Sequence, residues 1–146
     1  KYQRSINDYL FCVKSIDDNI GRLFDYLDQN NLSENTMVIL SSDQGFFLGE
    51  HGWYDKRFMY EESIKIPLIM RYPKMIPVNQ VNDKIILNLD FAPTLLDFAG
   101  IVIPSDIQGK SFKEFTLGNK IPDWQNSMYY HYYEYPHGWH DVKRHY

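Results

Sequence analysis

Apolar residues recur every three or four positions from Tyr2 to Asn30, which is the spacing of one face of a helix. The positions are Ile6, Leu10, Val13, Ile16, Ile20, Leu23, Phe24 and Leu27. We therefore predict one long amphipathic helix that ends at Asn30-Asn31.

A near-continuous apolar run from Thr36 to Ser41 follows a short polar turn. Its composition is typical of a strand buried on both faces, as in a mainly parallel sheet. Helix, short turn and buried strand form half of a crossover unit, so the predicted fold class is α/β.

Beyond Ser41 we expect a long glycine-containing loop from Gln44 to Tyr60 and a second strand from Ile66 to Met70. Pro67 is tolerated there because it lies at the first positions of the strand. Residues 72–83 are predicted to form a surface loop.

A second helix is predicted from Phe91 to Ala99, with Asp90 as its cap and Gly100 as its end. Residues 101–123 are expected to be loop with one short helical turn. The aromatic run from Ser127 to Tyr135 predicts a strand of a small second sheet.

Composition narrows the function classes. The 146 residues carry a net charge of −4, so no nucleic-acid footprint is expected, and no apolar stretch has membrane length. Aromatic residues reach 16%, which suits either a sugar-binding surface or a tyrosine-rich core edge. The single cysteine, Cys12, lies within the helical pattern and is predicted to be a buried packing residue.

The strongest chemical signal lies directly after the predicted first strand. Asp43 and Gln44 place a carboxylate beside a side-chain amide, and Gly45 follows. Oxygen ligands of this kind suit Ca²⁺ or Mg²⁺, whereas zinc would favour His or Cys. Asp before Gln-Gly is also compatible with an ordinary turn. Twelve positions after Gln44, Lys56 supplies a point charge that can contact an oxyanion, so metal and ammonium together indicate an anionic ester as substrate.

The segment from Ser41 to Pro73 resembles the part of calcium-dependent, formylglycine-using sulfatases that carries the last metal ligands and a sulfate-binding lysine. Residues 17–23 resemble the family's preceding helix, and residues 89–100 resemble the helix that follows. The resemblance implies an alkaline-phosphatase-like, mainly parallel sheet flanked by helices, with residues 1–123 as part of the catalytic domain and residues 124–146 as the start of a small C-terminal subdomain. It further implies Ca²⁺ held partly by Asp43 and Gln44, sulfate contact by Lys56, and a sulfated carbohydrate as substrate, as in N-acetylglucosamine-6-sulfatase-like enzymes.

The nucleophile motif of the family, Cys-x-(Pro or Ala)-x-Arg, is not found in these 146 residues. Cys12 is followed by Lys14 and Ile16, where the motif requires Pro or Ala and then Arg. We therefore expect the formylglycine upstream of residue 1 and expect this chain to be inactive alone. Export to the periplasm, the extracellular space or the lysosome is implied only by the family, and the oligomeric state is not indicated.

Several other residues are candidates for the site. His51 is predicted either to donate a proton in catalysis or to hold its loop in place, and Glu50 to brace the same loop. Arg57 is expected to form ion pairs with Glu61 and Glu62 or to contact substrate. Near the end of the chain, His140, Arg144 and His145 are predicted to form a subsite for a sulfated sugar.

Two alternatives remain open from the sequence. A phosphatase or phosphodiesterase of the same superfamily would usually place His directly after the strand aspartate, where this chain has Gln44. A non-catalytic remnant or binding module would keep the fold without the nucleophile.

Overall fold

The computed structural model describes residues 2–132, which divide into two compact units, residues 2–74 and 75–132. The first unit begins with helix α1, Tyr2–Gln29, as predicted. The elements that follow it are a 3-10 turn at Ser33–Asn35, β1 (Val38–Ser41), β2 (Phe47–Leu48), a 3-10 turn at Glu50–Gly52, β3 (Tyr54–Asp55), α2 (Glu61–Ile64) and β4 (Leu68–Arg71).

Strands β1 and β4 pair antiparallel, with Val38 opposite Arg71 and Ser41 opposite Leu68. The α/β class is confirmed, and both strand pairs within the described residues are antiparallel, since β2 also pairs antiparallel with β3. The chain between β1 and β4 contains no long crossover helix, which parallel neighbours would need. Strand β1 is also less buried than expected, because Leu40 is exposed.

Helix α1 contacts the described residues mainly near its two ends. Ser5 Oγ and Tyr54 Oη are 3.1 Å apart, and the guanidinium of Arg71 lies 5.0 Å from the ring centre of Phe24. The middle of the apolar stripe has no partner surface within residues 2–74. Cys12 is exposed, so the prediction that it packs in a core is wrong.

The second unit contains a 3-10 turn at Asn88–Asp90, helix α3 (Phe91–Phe98) and the short helix α4 (Lys113–Thr116). Gly100 ends α3 with a φ of 69°, as predicted. Asp90 is fully buried and does not cap α3 with its side chain; it accepts hydrogen bonds from the backbone N–H groups of Leu87 and Lys110 and from Gln125 Nε2.

Residues 127–132 form no strand, so the predicted strand from Ser127 to Tyr135 is wrong for this part, and its remaining residues lie outside the described range. The proposed boundary at residue 123 stays a prediction. Trp124 Nε1 donates to the Ile85 carbonyl at 2.7 Å, which ties residue 124 to the segment before α3. No helix within residues 2–132 combines the length and the apolar character that crossing a bilayer requires.

Candidate metal and substrate site

The end of β1 presents Asp43 to solvent. Strand β1 ends at Ser41, and Asp43 is exposed two residues later, with Ser42 Oγ 3.4 Å from its carboxylate. Apart from this hydroxyl, no hydrogen bond or ion pair holds the carboxylate within the described residues. It is therefore available to a cation.

The side chain of Gln44 is held in one orientation by Ser63. Gln44 Nε2 donates to the Ser63 carbonyl and lies 3.5 Å from Ser63 Oγ. Since a carbonyl only accepts, the nitrogen of the amide must face Ser63. The amide oxygen, which accepts no hydrogen bond from residues 2–132, remains for a cation.

Gly45 allows this part of the chain to approach α2. Its N–H donates to the same Ser63 carbonyl at 3.0 Å. A Cβ at this position would lie 2.7 Å from the Ser63 carbonyl oxygen, and the carbonyl of Glu62 is also in the way. Glycine is needed here for close approach rather than for a positive φ.

The loop from Gln44 to Tyr60 has a small aromatic core of its own. Phe47 is fully buried, and its ring packs edge-on against Trp53 and Tyr60 at centroid distances of 5.6 and 6.1 Å. Such aromatic pairs contribute about 0.5–1.5 kcal/mol to stability beyond the burial of their surface area. These contacts therefore stabilise the conformation of the loop.

Lys56 follows a constrained stretch of backbone. Asp55 has a φ of 92°, which is uncommon for a non-glycine residue, and its carboxylate pairs with the guanidinium of Arg57. The carbonyl of Lys56 accepts a hydrogen bond from Ser63 Oγ at 2.8 Å, while the residue as a whole is exposed. The backbone of Lys56 is therefore held in place, although the residue is exposed.

His51 is oriented by an acid and an aromatic ring. Its Nε2 lies 3.2 Å from Glu62 Oε1, and its ring centre is 4.8 Å from that of Tyr60. A φ of 57° shows that the backbone of His51 is in the left-handed region. Positions of this kind concentrate at functional sites.

Glu50 braces the loop, as predicted. Its carboxylate accepts from the Leu48 N–H at 2.6 Å. Hydrogen bonds from the backbone N–H groups of Glu50 itself and of Leu48 lower the pKa of Glu50 below its ordinary value. The anionic form thus suits a structural role.

The described residues bring some of the predicted site together. Gln44 and Lys56 both contact Ser63, and His51 contacts the neighbouring Glu62. Arg57 forms an ion pair with Asp55, whereas the prediction named Glu61 and Glu62, and contact of Arg57 with substrate stays a prediction. Three predicted residues lie outside the described range, namely His140, Arg144 and His145.

Sequence reasoning missed Ser63. It lies in a charged segment, Glu61-Glu62-Ser63, before the predicted second strand, and a single serine there gives no signal of its own. Gln44 and Ser63 are 19 positions apart in sequence, so only the folded loop shows that they are in contact.

Asp43 and Gln44 can supply some, but not all, of the oxygen ligands that a hard cation needs. A carboxylate and an amide oxygen are suitable ligands for Ca²⁺, which takes 6–8 oxygens. Within residues 2–132, no three His, Cys, Asp or Glu side chains converge on a possible metal position. Asp43 and Gln44 can thus supply two ligands, and the others must come from elsewhere.

Two family models match this sequence. The model described as N-sulphoglucosamine sulphohydrolase, C-terminal, matches residues 49–146, and the model for type I phosphodiesterase / nucleotide pyrophosphatase matches residues 9–83.

Individual relatives agree with the family models. An N-acetylglucosamine-6-O-sulfatase of Bacteroides thetaiotaomicron is 55% identical over 100% of this chain and 26% of its own length. A putative extracellular sulfatase Sulf-1 homolog of Caenorhabditis elegans is 40% identical over 74% of this chain and 15% of its own length. The chain thus spans about a quarter, or less, of the length of these curated relatives.

Solved structures of related proteins also match this chain. The structure of BT4656 in complex with its substrate D-glucosamine-2-N,6-O-disulfate matches with a TM-score of 0.85 and 54% identity over 90% of this chain and 27% of that one. A phosphonate monoester hydrolase from Silicibacter pomeroyi matches with a TM-score of 0.70 and 30% identity over 75% of this chain and 22% of that one. The fold is therefore α/β of the alkaline-phosphatase-like class. Within that class, the chain belongs to the sulfatase family.

Proposed function

We propose that this chain is the later part of a sulfuric ester hydrolase that removes sulfate from a sulfated sugar or glycan. The observation that carries the proposal is the 55% identity, over the whole chain, to a protein named N-acetylglucosamine-6-O-sulfatase. A similar protein was solved with a glucosamine disulfate described as its substrate, which supports a sulfated sugar as the ligand class.

In this proposal, Asp43 and Gln44 supply two of the oxygen ligands for Ca²⁺. When bound, the cation supplies positive charge that polarises the oxygens of the sulfate ester. The nucleophile, a formylglycine, is expected in a segment preceding residue 1, so this chain alone would be inactive.

Lys56 and His51 have separate roles in the proposed reaction. The ammonium of Lys56 offsets charge on a non-bridging sulfate oxygen, and this stabilisation matters most where charge develops as the ester bond breaks. His51, oriented by Glu62, donates a proton to the departing sugar oxygen.

The sugar is proposed to contact residues farther from the metal. Arg57 provides a planar donor close to Lys56, and the tail residues His140, Arg144 and His145 supply further cationic and aromatic groups. Export to the periplasm, the extracellular space or the lysosome remains a family-based expectation.

A phosphorus ester is the second candidate substrate. The type I phosphodiesterase model and the phosphonate monoester hydrolase structure both favour it. The metal ligands argue against it, because a two-zinc phosphatase site would need a nitrogen ligand in place of the Gln44 amide.

Parallel assays of the full-length protein, meaning this chain joined to its preceding catalytic segment, separate the two candidates. We expect turnover of an aryl sulfate at a kcat/KM at least about a hundredfold above that of the matching aryl phosphate, a difference of roughly 2.7 kcal/mol. Asp43→Ala should abolish the sulfatase activity. Preference for the phosphate, or full activity of Asp43→Ala, would refute the proposal.

The intact mass of the native protein tests the third possibility. A native product no longer than these 146 residues would favour a non-catalytic remnant or binding module. A longer product with the formylglycine motif would support the hydrolase.

A further inference from the structure

Ser63 contacts two parts of the proposed site at once. It is fully buried in the short helix α2, and no catalytic chemistry is available to a hydroxyl enclosed in this way. Its carbonyl and its hydroxyl nevertheless point to different functional residues. The carbonyl accepts from Gln44 Nε2 and from the N–H of Gly45, while Oγ donates to the carbonyl of Lys56.

We propose that Ser63 is a positioning residue. It fixes the position of Lys56, the proposed sulfate-binding residue, relative to the amide of Gln44, the proposed metal ligand. This inference rests on the proposed function and adds a residue to it. Ser63 links the two segments, because its carbonyl accepts hydrogen bonds from Gln44 and Gly45 after β1 and its hydroxyl donates to Lys56 after β3.

The two halves of the residue act on different ligands. The carbonyl of Ser63 holds the nitrogen of the Gln44 amide, and this contact does not depend on the Ser63 side chain; the hydroxyl lies 3.5 Å from the same nitrogen, at the limit of a hydrogen bond. The hydroxyl fixes the Lys56 carbonyl, which follows a residue, Asp55, with an unfavourable φ of 92°. A side-chain change at Ser63 should thus affect sulfate binding and leave cation binding almost unaltered.

Ser63→Ala in the full-length protein tests this separation. Removing the donor leaves the Lys56 carbonyl unpaired at a part-buried contact, so we expect the segment to shift toward another partner. We expect the dissociation constant for inorganic sulfate and the KM for an aryl sulfate each to rise by about tenfold, a change equivalent to roughly 1.4 kcal/mol. The dissociation constant for Ca²⁺, measured by isothermal titration calorimetry, should change by less than about twofold.

Ser33→Ala is the matched control. Ser33 is also a buried serine of the first unit, and its hydroxyl donates to Asp28 before β1 rather than after it. Both substitutions remove one hydroxyl hydrogen bond and should reduce stability similarly, but only Ser63→Ala should weaken sulfate binding. Equal sulfate affinity in the two variants would overturn the positioning role.

Ser63→Cys keeps the side chain nearly the same size and is informative if the alanine variant does not fold. A thiol is a weak donor, so we expect sulfate affinity below that of the unsubstituted protein. Unchanged sulfate affinity in Ser63→Cys would contradict the inference.

The experiments distinguish an error in the proposed function from an error in the proposed role of Ser63. An unsubstituted full-length protein that neither binds inorganic sulfate nor hydrolyses an aryl sulfate would refute the sulfatase proposal, and the role of Ser63 with it. An active enzyme whose Ser63→Ala variant matches it in sulfate affinity would refute only the role of Ser63.

Discussion

The close approach of Gly45 to α2 should make this position intolerant of even one methyl group. In Gly45→Ala, the new Cβ would lie 2.7 Å from the Ser63 carbonyl oxygen, whereas ordinary van der Waals contact begins at 3.4 Å. The Glu62 carbonyl oxygen would be closer still, so one of the two segments must retreat by more than about 0.7 Å. This movement stretches the 3.0 Å hydrogen bond from Gly45 N–H beyond the usual range of about 2.7–3.2 Å.

The expected cost has two parts. Inserting a methyl group into a packed contact costs about 1–3 kcal/mol, and losing the backbone hydrogen bond costs about 1 kcal/mol more. We expect the free energy of unfolding of the full-length protein, measured by guanidinium denaturation, to fall by roughly 2–4 kcal/mol. Affinity for Ca²⁺ should fall as well, because Gln44 is the preceding residue.

Gly21→Ala is the control for this experiment. Gly21 lies within α1, and an added Cβ would meet no atom within 4 Å in the described part of the chain. Alanine in a helix interior is favoured over glycine by about 0.5–1 kcal/mol, so this variant should be slightly more stable. A Gly45→Ala variant as stable as Gly21→Ala would refute the close-approach argument.

Two further predictions concern single side chains. Lys56→Ala should reduce kcat/KM on an aryl sulfate by about 10²–10³, which is the usual effect of removing one charge-stabilising donor. Lys65 is also exposed, and Lys65→Ala should change kcat/KM by less than about twofold. Equal effects of the two substitutions would exclude a special role for Lys56. A hydrogen bond from Ser111 Oγ at 2.6 Å, aided by the Lys113 ammonium at 3.0 Å, lowers the pKa of Asp97 below its ordinary 3.8. The stabilisation of the fold by the Asp97 carboxylate is therefore present above pH 3.8 and is lost as the pH falls through the lower pKa of the folded state. Asp97→Asn should reduce the free energy of unfolding at pH 7 and make it fall less steeply with acid. An unchanged pH profile of unfolding would contradict this.

Local patterns predicted the helices well, because their spacing and end signals are properties of consecutive residues. The three-and-four spacing placed α1 within one residue of its end, and Gly100 ended α3 where expected. The carboxylate and amide after β1 were likewise visible, since they are adjacent in sequence.

Contacts between distant residues could not be predicted from these patterns. The pairing of β1 with β4 depends on the path of the loop between them, and an apolar strand gives no direction for its partner. Cys12 is exposed because no surface within residues 2–74 packs on the middle of α1, and a periodic pattern cannot predict whether such a surface is present. Ser63 acts through its carbonyl and one hydroxyl, neither of which has a sequence signature.

Crystals of the full-length protein grown with CaCl₂ offer the most direct test of the proposed site. We expect one calcium ion, identified by its anomalous scattering, about 2.3–2.6 Å from both the Asp43 carboxylate and Gln44 Oε1. Calcium bound elsewhere, or a Gln44 amide with its nitrogen toward the ion, would contradict it.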